Sequence, residues 1–348
     1  MAYSGPKQKL LNELNKNPFV LAPMAAITDL PYRSFIKEMG AGIVVSELIS
    51  ATGLKYSSSK TKELMRFHDD QHPVGIQIFG ENAEHMREAA LYIEQTGADF
   101  VDINFGCPVP KVVKRGAGSA MLKDLPAMTH LLRELVKSVS IPVTIKIRTG
   151  WDLESKNADL VSQIAYDEGI CWVAIHGRTR SQGYEGAADW DYIAEIKSKA
   201  KLPIIGNGDI QTAQAAVQTL DRSKCDGVMI GRGALKNPLI FFQAQKLRSF
   251  LRFGQEILKP EDSISHEQII QSLLSHLERD YDARLVELQF KKLVTWFATG
   301  YPHATQFRKQ IYQAQGIEPV KHLASEFFRG LDQSLREINN NFLMGGHG

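Results

Sequence analysis

The chain has 348 residues, 43% hydrophobic and 23% charged, a balance that excludes collagenous, coiled-coil and disordered classes. Its 41 Lys and Arg against 39 Asp and Glu leave a formal charge of +2, which rules out a uniformly basic coat but not a local basic patch. Cys107, Cys171 and Cys225 lie far apart with no CxxC pair, so neither a zinc knuckle nor a thioredoxin-type motif is supported, and free thiols fit a reducing compartment.

Residues 1–17 are polar and lack the apolar core of a signal peptide. The apolar run that follows, Phe19–Ile27, is broken by Pro23 and is too short for a membrane helix. A cytoplasmic protein is expected.

From residue 19 to 231 one pattern recurs: a short apolar run, a polar or Gly/Pro-rich turn, then a stretch with helical periodicity. The runs are Phe19–Ala22, Ile43–Ser46, Val74–Ile78, Phe100–Ile103, Val143–Ile147, Trp172–Ile175, Ile204–Gly206 and Gly227–Ile230. Continuous apolar runs of this length suit parallel strands buried on both faces. Between them, Ala89, Ala90 and Ile93, and later Leu131, Leu132, Leu135 and Val136, recur at helical spacing. Eight such units predict an α/β fold, a (β/α)8 TIM barrel. The doubly wound alternative would carry a glycine fingerprint after its first strand, where this chain has Ala22-Pro23-Met24-Ala25.

After residue 240 the strand pattern stops. A linker is expected over 254–260, and Ser265 with Gln268 predicts a capping box. Apolar faces follow through Ile269, Leu273 and Leu277 and through Val286, Phe290, Leu293 and Phe297, with a break at Gly300-Tyr301-Pro302. The expected organisation is a catalytic barrel over 1–253 and a small C-terminal helical bundle over 254–348.

The C-terminal strand ends of such a barrel form its active face. Read in order they carry Pro23 and Met24, Glu47, Gln77, Asn104 to Cys107, Lys146, His176 with Arg178, Asn207 with Asp209, and Gly231 with Arg232. The turns Gly206-Asn207-Gly208-Asp209 and Ile230-Gly231-Arg232-Gly233 follow the seventh and eighth runs, where barrels place a phosphate on exposed N–H groups. Lys146 ends a buried strand and therefore requires an anionic partner; a Schiff base and a cation beside a reduced flavin are both open to it. Cys107, presented between Gly106 and Pro108, is either a general acid or, if nearby cations lower its pKa, a nucleophile. No HxH or HExxH spacing points to a metal.

These residues, in this order, resemble the tRNA-dihydrouridine synthases. The resemblance rests on Leu21-Ala22-Pro23-Met24-Ala25 with Thr28-Asp29, Gln77, Asp102-Ile103-Asn104 with Gly106-Cys107-Pro108, Lys146-Ile147-Arg148-Thr149-Gly150, His176-Gly177-Arg178-Thr179-Arg180, Asn207-Gly208-Asp209-Ile210 and Ile230-Gly231-Arg232-Gly233. It departs at Ala26-Ile27 and at Phe105, which neighbour the site. It implies an enzyme with flavin mononucleotide (FMN) over the barrel mouth, re-reduced by NADPH, that saturates the uracil 5,6 bond in tRNA. By resemblance Pro23, Met24, Ala25, Gln77, Lys146 and His176 would border the isoalloxazine. Asn207, Gly208, Asp209, Gly231 and Arg232 would hold the ribityl phosphate. Cys107 would protonate C5, and Asn104, His176 and Arg178 would orient the uracil.

Binding to tRNA should draw on phosphate contacts. Residues 283–310 carry Arg284, Lys291, Lys292, Arg308 and Lys309 against the single acid Glu287, interleaved with Trp296, Phe297 and Tyr301. Arg284, Lys291, Lys292 and Arg308 are the expected backbone contacts, with Lys111, Lys114 and Arg115 guarding the mouth beside Cys107; Phe297 is expected in the core. A monomer without metal is expected. The competing readings are an FMN barrel acting on a free pyrimidine such as dihydroorotate, a flavin-free sugar-phosphate enzyme using Lys146, and a non-catalytic RNA-binding barrel.

Overall fold

A computed structural model of the protein describes residues 5–56, 59–254, 264–329 and 331. Nine strands form one parallel sheet: β1 (Phe19–Leu21), β2 (Val44–Val45), β3 (Ile49–Ser50), β4 (Val74–Phe79), β5 (Phe100–Phe105), β6 (Val143–Arg148), β7 (Val173–His176), β8 (Ile204–Asn207) and β9 (Gly227–Ile230). Their order is β1-β9-β8-β7-β6-β5-β4-β2, with β3 paired beside β2 on β4. The Leu21 N–H donates to the Ile43 carbonyl at 2.9 Å, and a Val20–Ile43 bridge joins the first strand to the second run. The eight expected runs therefore wind into a TIM-type barrel.

The second run is the irregular one. It is extended only over Val44–Val45, because the Ser46 hydroxyl accepts the Gln77 N–H at 2.9 Å in place of a ladder carbonyl. The chain bends through Glu47 and resumes as β3, paired with Ile78 and Phe79. Several strands also run longer than their apolar runs, so that Asn104, Arg148, His176 and Asn207 are strand residues rather than loop residues.

Period-2 alternation sends Phe100, Asp102 and Asn104 of β5 to the same side, and likewise Ala174 and His176 of β7 with Trp172 just before it. The lower interior is dry: Val20, Ile43, Val45, Phe100, Trp172, Ala174, Ile205 and Met229 form one buried cluster. Phe100 and Trp172 meet edge-to-face at 5.0 Å, and burial of each ring contributes about 1.5–3 kcal/mol. Gly75 is required here, since a Cβ at that position would lie 2.2 Å from the Phe100 ring. The helix Gly5–Lys16 closes the bottom with Leu10, Leu11 and Leu14; the sequence reading assigned no role to that polar segment.

The C-terminal region is helical: Ile240–Phe253, His266–Asp280, Ala283–Phe297, Ala304–Gln313 and Ile317–Phe328. The Ser265–Gln268 capping box is formed reciprocally. Of the expected linker only Gly254 is described, as the left-handed C-cap of Ile240–Phe253. The helix His266–Asp280 packs on the barrel helix Leu30–Glu38. Around that seam Phe35 stacks on Phe297 at 6.1 Å, the Arg279 guanidinium donates to Asp70 at 2.8 Å and Ser34 at 2.7 Å, and Tyr281 donates to Asp29 at 2.8 Å.

Candidate active site

Where the dry interior ends, the inward positions turn polar. Gln77, Asp102 and Thr144 are neighbours in register on β4, β5 and β6. Asp102 accepts from Gln77 Nε2 and from Thr144 Oγ1, both at 2.6 Å. Burial pushes the Asp102 carboxyl above its usual range, against the pull of those bonds and of Lys146.

One step up, Asn104 Nδ2 donates to Gln77 at 2.9 Å, while its Oδ1 accepts from the Gly106 and Cys107 N–H groups at 3.1 and 2.8 Å. Asn104 thereby folds the cysteine turn over the strand end. The Cys107 carbonyl is held by the Ser119 N–H and hydroxyl at 3.1 and 2.9 Å. Burial raises the Cys107 thiol pKa, and the opposing pull of a backbone N–H, Arg148 and Lys146 does not cancel it. The shift is away from the thiolate.

Lys146 stands beside Asn104 in register. Its ammonium donates to a neutral acceptor, Asn207 Oδ1, at 3.1 Å, and not to a carboxylate. Burial, with Arg148 adding to it, lowers its pKa to about 8 against the pull of Asp102 and Cys107. Asn207 in turn donates to the Met229 carbonyl at 2.8 Å. His176 is buried beside Arg148, Lys146, Arg178 and Arg232; desolvation first and those charges second hold its pKa well below the usual value.

Arg178 stands just past β7. Its guanidinium grips both Asp209 oxygens at 2.9 and 2.8 Å and donates to the Glu185 and Gly186 carbonyls at 3.0 and 2.6 Å. These bonds hold it, buried, against Asp209, and it is not among the residues that line the cleft. Asp209 also accepts from the Ala188 N–H at 2.8 Å and lies 3.5 Å from Arg232. Gly208 precedes it at φ +132°, where a Cβ would sit 2.5 Å from that of Ala188.

One cleft unites Pro23, Met24, Ala25, Gln77, Asn104, Cys107, Lys146, His176, Asn207, Gly208, Asp209, Gly231 and Arg232. It also takes in residues to which the sequence reading gave no role, Arg148 and Tyr184 chief among them. Arg148 donates to the carbonyls of Gly106, Thr179 and Gly183 at 2.9, 2.8 and 2.8 Å, beneath the cysteine turn. The alternation Lys146-Ile147-Arg148 was the available signal. Tyr184 stands on the loop after β7 with the Arg232 guanidinium 4.8 Å from its ring centre, and no local pattern marks it.

The cations outside the cleft divide. Lys111, Lys114, Arg115, Arg284 and Arg308 are exposed. Lys291 is not: it is buried, with its ammonium on Glu287 at 2.6 Å and on the Ala314 carbonyl at 2.7 Å. The expectation of an RNA contact there is withdrawn, because both partners lie within the helical region. Lys292 turns toward the barrel and donates to the Ala26 carbonyl at 3.1 Å. Tyr301 and Phe297 are buried.

Comparison with known proteins identifies the family. The family model described as dihydrouridine synthase (Dus) matches residues 20–330. A protein of Rickettsia typhi named "Probable tRNA-dihydrouridine synthase" is 37% identical over 320 residues, spanning 91% of this chain and 95% of that protein. The tRNA-dihydrouridine synthase B of Pseudomonas putida is 37% identical over 322 residues, spanning 92% and 94%. Among solved structures, a 2-naphthoyl-CoA reductase complex superposes with a TM-score of 0.51 at 15% identity, over 68% of this chain and 50% of that one, a likeness of fold alone. No helix among the described residues is long and apolar enough to cross a membrane. The chain belongs to the dihydrouridine synthase family and is, with it, a flavin-dependent oxidoreductase.

Proposed function

We propose that the protein is an FMN- and NADPH-dependent tRNA-dihydrouridine synthase, a cytoplasmic monomer that reduces the C5=C6 bond of a uridine in tRNA. The observation that carries this reading is the Cys107 thiol, its pKa raised by burial, in the same cleft as Lys146, Arg148 and Arg232.

The cleft suits the cofactor. Ala22, Met24 and Met229 offer an apolar wall for a ring system, while Gly208, Gly231 and Gly233 expose backbone beside Arg232 for a phosphate. Asp209, the acid among these groups, is bound by Arg178 and so does not oppose an anion. Bound there, FMN would supply the hydride that adds to C6 of the uracil, and NADPH would restore it.

Hydride addition at C6 builds negative charge over C5, C4 and O4, which requires donors and one proton. Cys107 holds that proton on Sγ and delivers it to C5. Asn104 and Arg148 fix the cysteine turn from its two sides. Lys146 would place a positive charge beside a reduced, anionic flavin, and His176, held toward its neutral form, would add a donor without a further charge. The base must leave its stack to enter the cleft, so the exposed cations Lys111, Lys114, Arg115, Arg284 and Arg308 are proposed to hold the phosphates outside it. A boundary near residue 253 then separates a catalytic barrel from an RNA-holding bundle.

Incubation with FMN, NADPH and unmodified tRNA should add two hydrogens to a uridine, read by mass spectrometry. Cys107→Ala should lower the single-turnover rate by about 10²–10⁴ with tRNA affinity kept. Full activity of that variant would remove Cys107 from the reaction.

A further inference from the structure

One wall of the cleft, Pro23 to Ala25, belongs to the turn after β1. The Met24 carbonyl accepts from the Ile27 and Thr28 N–H groups at 3.1 and 3.0 Å, and the Thr28 hydroxyl accepts the Met24 N–H at 3.0 Å. Closing this turn drives Ala26 to φ +59°, the left-handed region in which a Cβ crowds its own carbonyl. Something outside the turn has to hold that conformation, and two side chains do. The buried Glu47 carboxylate, at the bend between β2 and β3, accepts the Ala26 N–H. From the other side, Lys292 of the helix Ala283–Phe297 donates to the Ala26 carbonyl at 3.1 Å.

Both backbone groups of one strained residue are therefore grasped, one from the barrel and one from the helical region. Three residues on, Tyr281 donates to Asp29, whose other oxygen caps the helix Leu30–Glu38 by accepting the Tyr32 N–H at 3.1 Å. The turn is tied to the helical region at its apex and at its exit.

We propose that Glu47 and Lys292 form a positioning clamp on Ala26 that keeps Met24 and Ala25 set against the flavin, so that seating of the helical region is a condition of tight cofactor binding. Lys292 is then a positioning residue and not a phosphate contact. The inference rests on the reading that this cleft holds FMN.

A four-protein cycle tests it: the unaltered chain, Lys292→Met, Ala26→Gly and the double variant, each stripped of flavin and titrated with FMN by fluorescence quenching. Thermal unfolding of each, measured alongside, reports whether the fold is kept. Lys292→Met should weaken FMN binding about fivefold, the scale of one left-handed alanine. Glycine adopts this φ without the Cβ clash, so the same lysine change in the Ala26→Gly background should cost no more than about twofold. Lys292→Arg, which keeps a donor, should bind FMN as the unaltered chain does. Equal losses in both backgrounds would overturn the clamp. Unchanged FMN affinity with a raised KM for tRNA would also overturn it and return Lys292 to the RNA surface. An unaltered chain that binds no FMN would instead remove the flavin reading itself, and the clamp with it.

Discussion

The cations of the barrel mouth and those of the helical region look alike in sequence and differ in what fixes them. In the mouth, Lys146 and Arg148 are placed by strand alternation and register and Arg178 by the turn after β7, and each is bound to a named carbonyl, amide or carboxylate. In the helical region, neighbours in sequence part company. Lys291 and Lys292 are successive residues on one helix, about 100° apart, so one points into the bundle and the other toward the barrel loop. Arg284 and Arg308 remain exposed. A run of positive charge on a helix is therefore not one surface, whereas alternate positive residues ending a barrel strand are one site.

The largest effect that would break this contrast concerns Lys146. Its ammonium titrates near 8 in the fold against 10.5 unfolded. Between those values the unfolded chain binds the extra proton, so this group's contribution to stability rises as pH increases from about 8 to about 10.5, by about 3 kcal/mol at most. Denaturant unfolding of the flavin-free protein at pH 7.5 and pH 10 (values chosen to bracket the titration), compared with Lys146→Met, should show that rise in the difference between the two. A pH-independent difference would mean that the lysine is solvated.

Smaller is the loss expected for Lys291→Met, which strips the donor from the Ala314 carbonyl and the partner from Glu287. Stability should fall by about 1–2 kcal/mol, with the salt dependence of tRNA binding unchanged. The subtlest prediction is the converse pair. Arg284→Gln with Arg308→Gln should leave stability within about 0.5 kcal/mol and flatten the slope of log affinity against log salt by about 1 per residue. A steep slope in that double variant would place the RNA elsewhere.

These contrasts also explain what was legible in the sequence. The eight strands could be read because both of their faces are buried, and the cleft residues because they end those strands. Gln77, Asn104, Lys146, His176 and Asn207 all lie in one cleft. What escaped depended on long-range contacts: the Ser46 hydroxyl that interrupts the second strand, the consumption of Arg178 by Asp209, and Tyr184 arriving from a loop. Arg148 was legible in principle, since it shares a strand face with Lys146. The burial of Lys291 was not, because its partner Ala314 lies 23 residues away on another segment.

The central claim is that this cleft reduces a uracil within tRNA and not a free base. The direct measurement is anaerobic: reduce the bound flavin, mix one sample with unmodified tRNA and another with free uridine or orotate, and follow the return of oxidised-flavin absorbance. Rapid reoxidation by tRNA alone, with dihydrouridine formed, is the predicted result. Reoxidation by the small molecules alone would contradict it and make the protein a metabolic pyrimidine oxidoreductase.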